Sequence, residues 1–343
     1  MNNNTNNNMN NNMNKEQILL YTNSLGVNIH IPVLRYHKGA GKKVILTCLN
    51  HGDEVIGLEA GLQALENIKN NPNFKGEIVV LTTLNMTGFE QNSRLYQAES
   101  NSNVTPQNLN RSFGSKASTM TAMTANKILE WLEKESPDWV LDLHSYSHNS
   151  IMHTIIDRPG GSLEDKMINL CVQALTPFYL EYEPEQASQL QLDYSLSNQL
   201  CIRNIPALTL ELGPVGGFSF NQATLATQFV MNYLYTIYSN ISHNQVNGVS
   251  DMRSGIIFDN PNNIYNRCSL SNDSQYCGYF RPLVVVGKMY QRGTTIGQVI
   301  NLYGEIVSDI SMPEDGILCV LSQTSYTHPT ANIGIYLKKV TKK

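Results

Sequence analysis

Apolar runs alternate with segments of helical spacing over the first two thirds of the chain. Four runs are short and continuous, as expected for strands buried on both faces of a sheet. They lie at residues 43–49, 77–84, 138–143 and 207–212. A further strand is predicted at 27–34, where apolar residues occupy alternate positions.

Segments with apolar residues at helical spacing lie between and after these runs. Helices are predicted at 54–68, 122–132, 163–175 and 222–238, and a long polar loop covers about 85–118. Buried strands that alternate with helices favour a mostly parallel mixed sheet flanked by helices, which is an α/β fold.

The pattern changes near residue 245. Short β-rich runs punctuated by glycine recur at 254–258, 282–286, 296–300, 306–310, 316–321 and 332–337. This pattern predicts a small all-β domain at 250–343, preceded by an α/β domain at 15–245. Residues 1–14 contain ten asparagines and are predicted to be a disordered tail.

Composition limits the classes of function. Of the 343 residues, 41% are hydrophobic and 15% are charged, and the formal net charge is -4. The chain can therefore build a full core, and it lacks the basic footprint of a nucleic-acid binder. The N-terminus has no signal-peptide pattern, and no apolar stretch is long enough for a membrane span. We expect a soluble cytoplasmic protein.

The six cysteines show no metal-binding or redox spacing. A disulfide framework is not expected in a chain of this size, although Cys268 and Cys277 could pair across a hairpin.

The most informative segment, Asn50-His51-Gly52-Asp53-Glu54, joins a buried strand to a helix. His51 and Glu54 are three residues apart at the start of that helix, so one imidazole and one carboxylate can converge on one point. Zn²⁺ favours such ligands. Taken alone, the tetrapeptide favours the alternative of a capping carboxylate beside a hydrogen-bonded histidine.

A second histidine, His144, ends the buried strand at 138–143. Ligands of open α/β sheets bind beyond the carboxyl ends of the strands, where His51 also lies. Two histidines and a carboxylate leave one zinc position open for water, as catalytic zinc sites do. Asp142 shares the face of His144 one layer deeper in the sheet, and it is not assigned as a ligand. A core histidine is the alternative for His144.

Glu211 lies within the apolar strand at 207–212, where a carboxylate is costly unless it has a partner. A partly desolvated glutamate beside a metal-bound water suits a general base. The alternative is an ion pair with a structural arginine.

The polar loop carries Asn108-Leu109-Asn110-Arg111, with Arg94 sixteen residues before Asn110. Arginine binds carboxylates bidentately, and an arginine beside a metal can stabilise an oxyanion. Each arginine alone is also compatible with a surface charge.

In this order, the motifs resemble those of the succinylglutamate desuccinylase/aspartoacylase family, within the zinc carboxypeptidase superfamily. The resemblance covers about residues 40–215, and the trailing β domain resembles the second domain of that family. It implies a zinc-carboxypeptidase-like fold and one zinc ion per chain, bound by His51, Glu54 and His144. The α/β domain would then be catalytic.

The resemblance also implies roles for the other residues. Glu211 would be the general acid/base, Arg94 would polarise the scissile carbonyl, and Asn110 with Arg111 would bind the substrate's α-carboxylate. The substrate would be a small N-acyl amino acid whose amide bond is attacked by a metal-activated water.

Several points stay open at this level. His148 and His153 are candidate substrate contacts or structural residues, and either Arg158 or Arg203 could bind an acyl carboxylate. The family's tyrosine has no clear match. Another divalent ion such as Co²⁺ could use the same ligands.

The oligomeric state is open, and the chain could form a homo-oligomer. The rival functions are a metallocarboxypeptidase acting on short peptides and an inactive binding protein on the same scaffold.

Overall fold

A computed structural model describes residues 13–23, 25–96, 107–146, 149–182, 184–215, 219–239, 263–322 and 325–340. The strands of the first part are Met13–Thr22 (β1), Asn28–Lys38 (β2), Lys43–Cys48 (β3), Gly76–Leu81 (β4), Trp139–Tyr146 (β5), Asn149–Ser150 (β6), His153–Ile156 (β7), Phe178–Leu180 (β8) and Ala207–Pro214 (β9). The helices are Val55–Lys69 (α1), Met86–Glu90 (α2), Met120–Glu135 (α3), Gly161–Gln173 (α4), Pro184–Gln189 (α5), Leu196–Ile202 (α6) and Phe220–Ile237 (α7), with 3₁₀ turns at Leu109–Arg111 and Leu192–Tyr194.

The strands of the second part are Tyr265–Ser271 (β10), Gly278–Pro282 (β11), Met289–Tyr290 (β12), Thr295–Ile300 (β13), Ile306–Ser311 (β14), Gly316–Leu321 (β15), Ser325–Thr327 (β16) and Asn332–Lys339 (β17). Among the described residues, thirteen strands form one sheet in the order β1-β2-β4-β3-β5-β9-β7-β8-β10-β17-β15-β12, and β6 pairs with β15.

The centre of this sheet is mostly parallel. Strands β4, β3, β5 and β9 run parallel to one another, and β7 pairs with β9 in the antiparallel direction. Their apolar side chains are buried because helices cover both faces. The predicted α/β class, a mostly parallel mixed sheet flanked by helices, is therefore confirmed.

Helix α1 lies on one face of the sheet, where a Cβ added at Gly57 would come within 2.8 Å of the Leu143 carbonyl oxygen. Helix α6 lies on the other face, where the Thr209 hydroxyl donates to the Ser197 hydroxyl at 3.0 Å. The face covered by α6 also carries His144 and Glu211, because odd positions of β9 share one side and Glu211 pairs with His144.

Several elements differ from the sequence-based prediction. Strand β1 was not predicted because its N-terminal half is polar, and Met13 and Asn14 lie in it, although they were assigned to the disordered tail. Residues 1–12 lie outside the described part. The predicted loop at 85–118 contains α2 and the 3₁₀ turn at Leu109–Arg111.

The C-terminal region is all-β, as predicted. Strands β10, β17, β15 and β12 extend the long sheet, and β14-β13-β11-β16 form a second, four-stranded sheet. The run at 254–258 lies outside the described residues. The strand predicted at 282–286 is wrong: β11 ends at Pro282, and Leu283 and Val285 lie half-exposed on a turn that leads to Gly287. The six cysteines are free thiols.

Candidate active site

His51 and Glu54 lie in the connection between β3 and α1. Leu49 begins this connection with a φ of 51°, a left-handed conformation that is strained for a leucine. Glu54 occupies the position before the first turn of α1, but its carboxylate makes no cap to the helix. The glutamate side chain is instead free to turn toward the histidines at the edge of the sheet.

The side chains of His51, Glu54 and His144 meet at one point. His51 Nδ1 lies 2.8 Å from one Glu54 oxygen, His144 Nδ1 lies 2.9 Å from the other, and the two Nδ1 atoms are 3.2 Å apart. All three residues are buried, with 1–2% of their surface exposed. Three donor atoms of these types, within 4.8 Å of one another, suit a divalent cation.

The far nitrogen of each histidine faces an acceptor oxygen. His144 Nε2 lies 2.7 Å from Asp142 Oδ2, and His51 Nε2 lies 3.1 Å from Asn108 Oδ1. Because these oxygens accept, each Nε2 donates its hydrogen to them, and Nδ1 is the atom of each ring that would bind a cation at the shared point. Metal-binding histidines are typically held by such second partners. The residues present therefore fit a metal ion.

Asp142 and Asn108 are themselves fixed in place. Asp142 accepts hydrogen bonds from the Thr47 hydroxyl at 2.6 Å and from the Asn50 side chain at 3.1 Å. Asn108 caps the 3₁₀ turn by accepting from the Asn110 backbone N–H at 2.9 Å. The imidazole orientations thus depend on residues from three separate segments of the chain.

The buried ionisable groups of the site change one another's pKa. Burial lowers the pKa of His51 to about 4, so this imidazole is neutral at neutral pH. Burial also opposes protonation of His144, but Asp142 and Glu54 outweigh it and raise the pKa of His144 above its ordinary value. The two histidines in turn hold the pKa of Glu54 low despite its burial. Glu54 is therefore an ionised carboxylate.

Glu211 lies beside His144 on the neighbouring strand, directly paired with it in register. Its side chain is 7% exposed, and its Oε2 atom has no hydrogen-bond partner among the described residues. Burial raises the pKa of Glu211 to about 7. A carboxyl that exchanges a proton near neutral pH suits general acid–base chemistry.

A cavity of about 320 Å³ opens from this point and runs along the sheet. Its lining contains six of the seven residues to which the resemblance assigns a role, namely His51, Arg94, Asn110, Arg111, His144 and Glu211. The seventh, Glu54, contacts three of these lining residues, His51, Arg94 and His144. The side-chain oxygen of Asn110 accepts the Leu196 N–H at 2.9 Å, so its amide nitrogen is the part available to a ligand. Arg111 donates to the Asn110 carbonyl oxygen at 2.6 Å.

Arg94 lies at the edge of the site, where its Nη1 donates to Glu54 Oε1 at 2.8 Å. Its side chain is 41% exposed, which leaves part of the guanidinium toward the cavity. The structure thus places Arg94 at the point where the histidines and Glu54 meet, although its local sequence is not distinctive.

The remaining sequence candidates lie elsewhere. Arg203 contacts Gln199 and Glu133, and Arg158 lines a neighbouring cavity. His148 is outside the described residues. Tyr146 is the tyrosine in the described lining of the main cavity, where its hydroxyl accepts from Arg267 at 3.3 Å.

Sequence reasoning missed three charged residues of the cavity, namely Asp157, Glu181 and Arg267. Asp157 and Glu181 each follow a short apolar run that was not recognised as a strand, β7 and β8 respectively. A carboxylate at the end of an apolar run, the same signal that identified Glu211, could have found both. Arg267 carries no local signal, because it comes from the C-terminal β region.

His153 is fully buried and faces Glu211 across the β7–β9 pair. Its Nδ1 donates to the Ile151 carbonyl oxygen at 2.8 Å, its ring stacks on Tyr179, and burial lowers its pKa to about 4. Because the unfolded chain binds this proton near pH 6.5, the free energy of unfolding should fall as the pH drops from 6.5 to 4. Over this pH range, proton binding by His153 in the unfolded chain should lower the free energy of unfolding by about 3 kcal/mol.

Denaturant unfolding of wild type and His153→Phe at pH 7.5, 6 and 4.5 measures this contribution. The variant should lose stability less steeply with acidification than wild type. Equal slopes for the two proteins would contradict a neutral, buried His153.

In the described part of the chain, no helix is long and apolar enough to cross a membrane.

No curated protein matches the sequence. Solved structures do match its fold. An aspartoacylase family protein from Mesorhizobium loti is 17% identical, covers 96% of each chain and superposes with a TM-score of 0.73. The product-bound ectoine utilization protein EutE (DoeB) from Ruegeria pomeroyi is 17% identical, covers 95% of each chain and has a TM-score of 0.72.

A metallo-carboxypeptidase from Burkholderia cenocepacia is also similar, at 14% identity, with 66% of this chain and 64% of that chain covered and a TM-score of 0.51. This likeness is one of fold. The model of the succinylglutamate desuccinylase/aspartoacylase catalytic domain matches residues 40–237, more than half of the chain. The chain therefore belongs to the succinylglutamate desuccinylase/aspartoacylase family, whose members are hydrolases of acyl-amino acids.

Proposed function

We propose that this protein is a zinc-dependent deacylase that hydrolyses the amide bond of a small N-acyl amino acid. The observation that carries the proposal is the convergence of His51, Glu54 and His144, with Glu211 beside them, at one end of a cavity. The cavity also contains arginines suited to a carboxylate substrate.

His51, Glu54 and His144 would hold one zinc ion per chain. When bound, zinc supplies Lewis acidity that polarises a carbonyl and lowers the pKa of water. The protein supplies the orientation of the donors, since Asp142 and Asn108 fix the imidazole rings. Asp142→Asn should therefore weaken metal binding, by about 10–100-fold.

Glu211 would move the proton. Its unpartnered Oε2 atom can accept a proton from the attacking water and then donate it to the leaving amine nitrogen. Because burial raises the pKa of Glu211 to about 7, its carboxyl can take up and release this proton near neutral pH.

Arg111, with the amide nitrogen of Asn110, would bind the α-carboxylate of the substrate. Arg94, at the edge of the metal-binding residues, would donate to the scissile carbonyl oxygen as negative charge develops on it. These assignments place the carboxylate and the reacting amide at neighbouring positions in one cavity.

The C-terminal β region narrows this cavity, because Val320, Asn332 and Ile335 form part of its lining. A cavity of about 320 Å³ suits a small molecule rather than a long peptide. This argues for a deacylase over a carboxypeptidase. The retained Glu211 argues against an inactive binding protein, which has no need of a base.

A panel of substrates tests the proposal. Zinc-loaded protein should hydrolyse N-acetyl and N-succinyl amino acids with higher kcat/KM than dipeptides of similar size. Faster hydrolysis of the dipeptides would favour the carboxypeptidase. Absence of hydrolysis with all of them, in protein that carries zinc, would contradict an enzymatic function of either kind.

A further inference from the structure

Ser145 directly follows His144 on β5, at the end of the main cavity where the three donor side chains meet. Its backbone N–H donates to Glu54 Oε2 at 3.0 Å, which fixes Ser145 relative to the donor atoms. Its side chain belongs to the lining of the same cavity. The hydroxyl of Ser145 therefore lies beside the place where a substrate would react.

An irregularity in the strand pairing explains how the Ser145 side chain reaches the cavity. Neighbouring side chains of a regular strand point to opposite faces, so Ser145 would point away from the face that carries His144. The register between β5 and β9 shifts between His144 and Tyr146. Such irregularities re-aim side chains next to active sites. Ser145 and His144 consequently line one cavity although they are adjacent in sequence.

The hydroxyl of Ser145 is buried without a partner. The residue is 2% exposed, and its Oγ atom forms no hydrogen bond with the described residues. A buried polar group without a hydrogen bond is costly, and most buried side-chain polar atoms are paired. Because this hydroxyl belongs to a cavity wall, a bound ligand can supply the missing partner.

The scissile amide of an N-acyl amino acid brings such a partner. Its N–H loses water on entering the cavity and then needs an acceptor. Arg94 and Arg111 can only donate. The side-chain oxygen of Asn110 already accepts a backbone N–H, and Glu211 would exchange the proton of the attacking water. The hydroxyl oxygen of Ser145, with two lone pairs, is suited to accept the amide N–H.

We propose that Ser145 is a further catalytic residue, whose Oγ accepts a hydrogen bond from the N–H of the scissile amide. The inference rests on the proposed function, because it assumes that the amide lies at the His51, Glu54 and His144 end. Ser145 neither gives nor takes a proton, and the N–H bond stays intact. Holding this N–H fixes the orientation of the nitrogen, so that its lone pair, once the carbonyl carbon becomes tetrahedral, can receive the proton from Glu211.

A pair of substrates that differ only in this N–H tests the proposal with the zinc-loaded full chain. One is the N-acetyl amino acid that is hydrolysed best, and the other is the O-acetyl ester of the corresponding α-hydroxy acid. Ser145→Ala should lower kcat/KM for the amide by about 10-fold, because its buried N–H loses the acceptor. The ester has no N–H, so its kcat/KM should stay within about 3-fold of wild type.

Two measurements accompany the kinetics. Zinc content and zinc affinity of Ser145→Ala, measured by competition with a chelator, should match wild type, since the backbone N–H that donates to Glu54 is kept. If wild type hydrolyses the ester too slowly to follow, the inhibition constant of the ester against the amide takes the place of its kcat/KM, with the same expected ratio.

Ser150→Ala is the matched control. The Ser150 hydroxyl is also buried without a hydrogen bond to the described residues, but Ser150 does not belong to the described lining of the main cavity. This variant should leave kcat/KM for both the amide and the ester near wild type.

The outcomes separate the proposal from the proposed function. If Ser145→Ala lowers kcat/KM equally for amide and ester, the residue has a structural role and the proposal is overturned. It is also overturned if the amide is hydrolysed as fast as by wild type, or if the variant loses its zinc. In these cases the deacylase function stands. If wild type hydrolyses no N-acyl amino acid, the proposed function itself fails.

Discussion

Glu211→Gln should lower kcat for the best N-acyl amino acid by about 10²–10⁴-fold, the range for loss of a general acid–base group. Glutamine keeps the shape of the side chain but can neither accept the proton of the attacking water nor donate one to the leaving nitrogen. The substitution leaves unchanged the substrate contacts that we propose for Asn110 and Arg111, so KM should change much less than kcat. Steady-state kinetics of the purified variant measures both.

The metal content of the variant must equal that of wild type for this result to be informative. Glu211 does not belong to the group of three donor residues, so the variant should keep one metal ion per chain. Glu59→Gln makes the same chemical change on α1, where Glu59 accepts from Gln63, and should leave kcat near wild type. Wild-type kcat in a metal-loaded Glu211→Gln protein would show that another residue moves the proton.

His144→Ala should abolish stoichiometric metal binding and, with it, activity. His144 supplies one of the three donor atoms that meet at 2.8–3.2 Å, and its loss leaves Glu54 and Asp142 without the imidazole between them. Loss of a hydrogen-bond partner of a metal ligand costs about 10–100-fold in metal affinity or activity. Loss of the ligand itself should therefore lower metal affinity by more than about 100-fold. Metal analysis and kinetics together measure the effect.

His37→Ala is a suitable control, since His37 is exposed on β2 and far from the cavity lining. It should retain one metal ion and wild-type activity. Full metal content and activity in His144→Ala would mean that other residues bind the metal.

The part of the fold that the sequence predicts well is the centre of the sheet. The strands β3, β4, β5 and β9 are buried along most of their length, and their short, mostly apolar runs identify them in the sequence. The short strands β7 and β8 have four and three residues, too few for any periodicity to show. The parallel pairing of β10 with β8, which joins the C-terminal region to the long sheet, depends on contacts distant in sequence.

The candidate site also has a part that the sequence predicts and a part that depends on contacts distant in sequence. His51, Glu54, His144 and Glu211 lie at strand ends or next to them, where topology alone brings side chains together, and the structure does bring them together. The role of Asn108 as the partner of His51 requires the loop to fold back over the site, which local sequence does not encode. The Arg267–Glu181 pair joins segments 86 residues apart and appears only in the folded chain.

The central claim is that His51, Glu54 and His144 bind one catalytic divalent cation. Anomalous diffraction at the zinc edge, from crystals of protein purified without chelator, tests it most directly. The account predicts one strong peak per chain at bonding distance from both Nδ1 atoms and the Glu54 carboxylate, with zinc confirmed by X-ray fluorescence. A map with no peak among these three side chains, in protein that hydrolyses N-acyl amino acids, would contradict it.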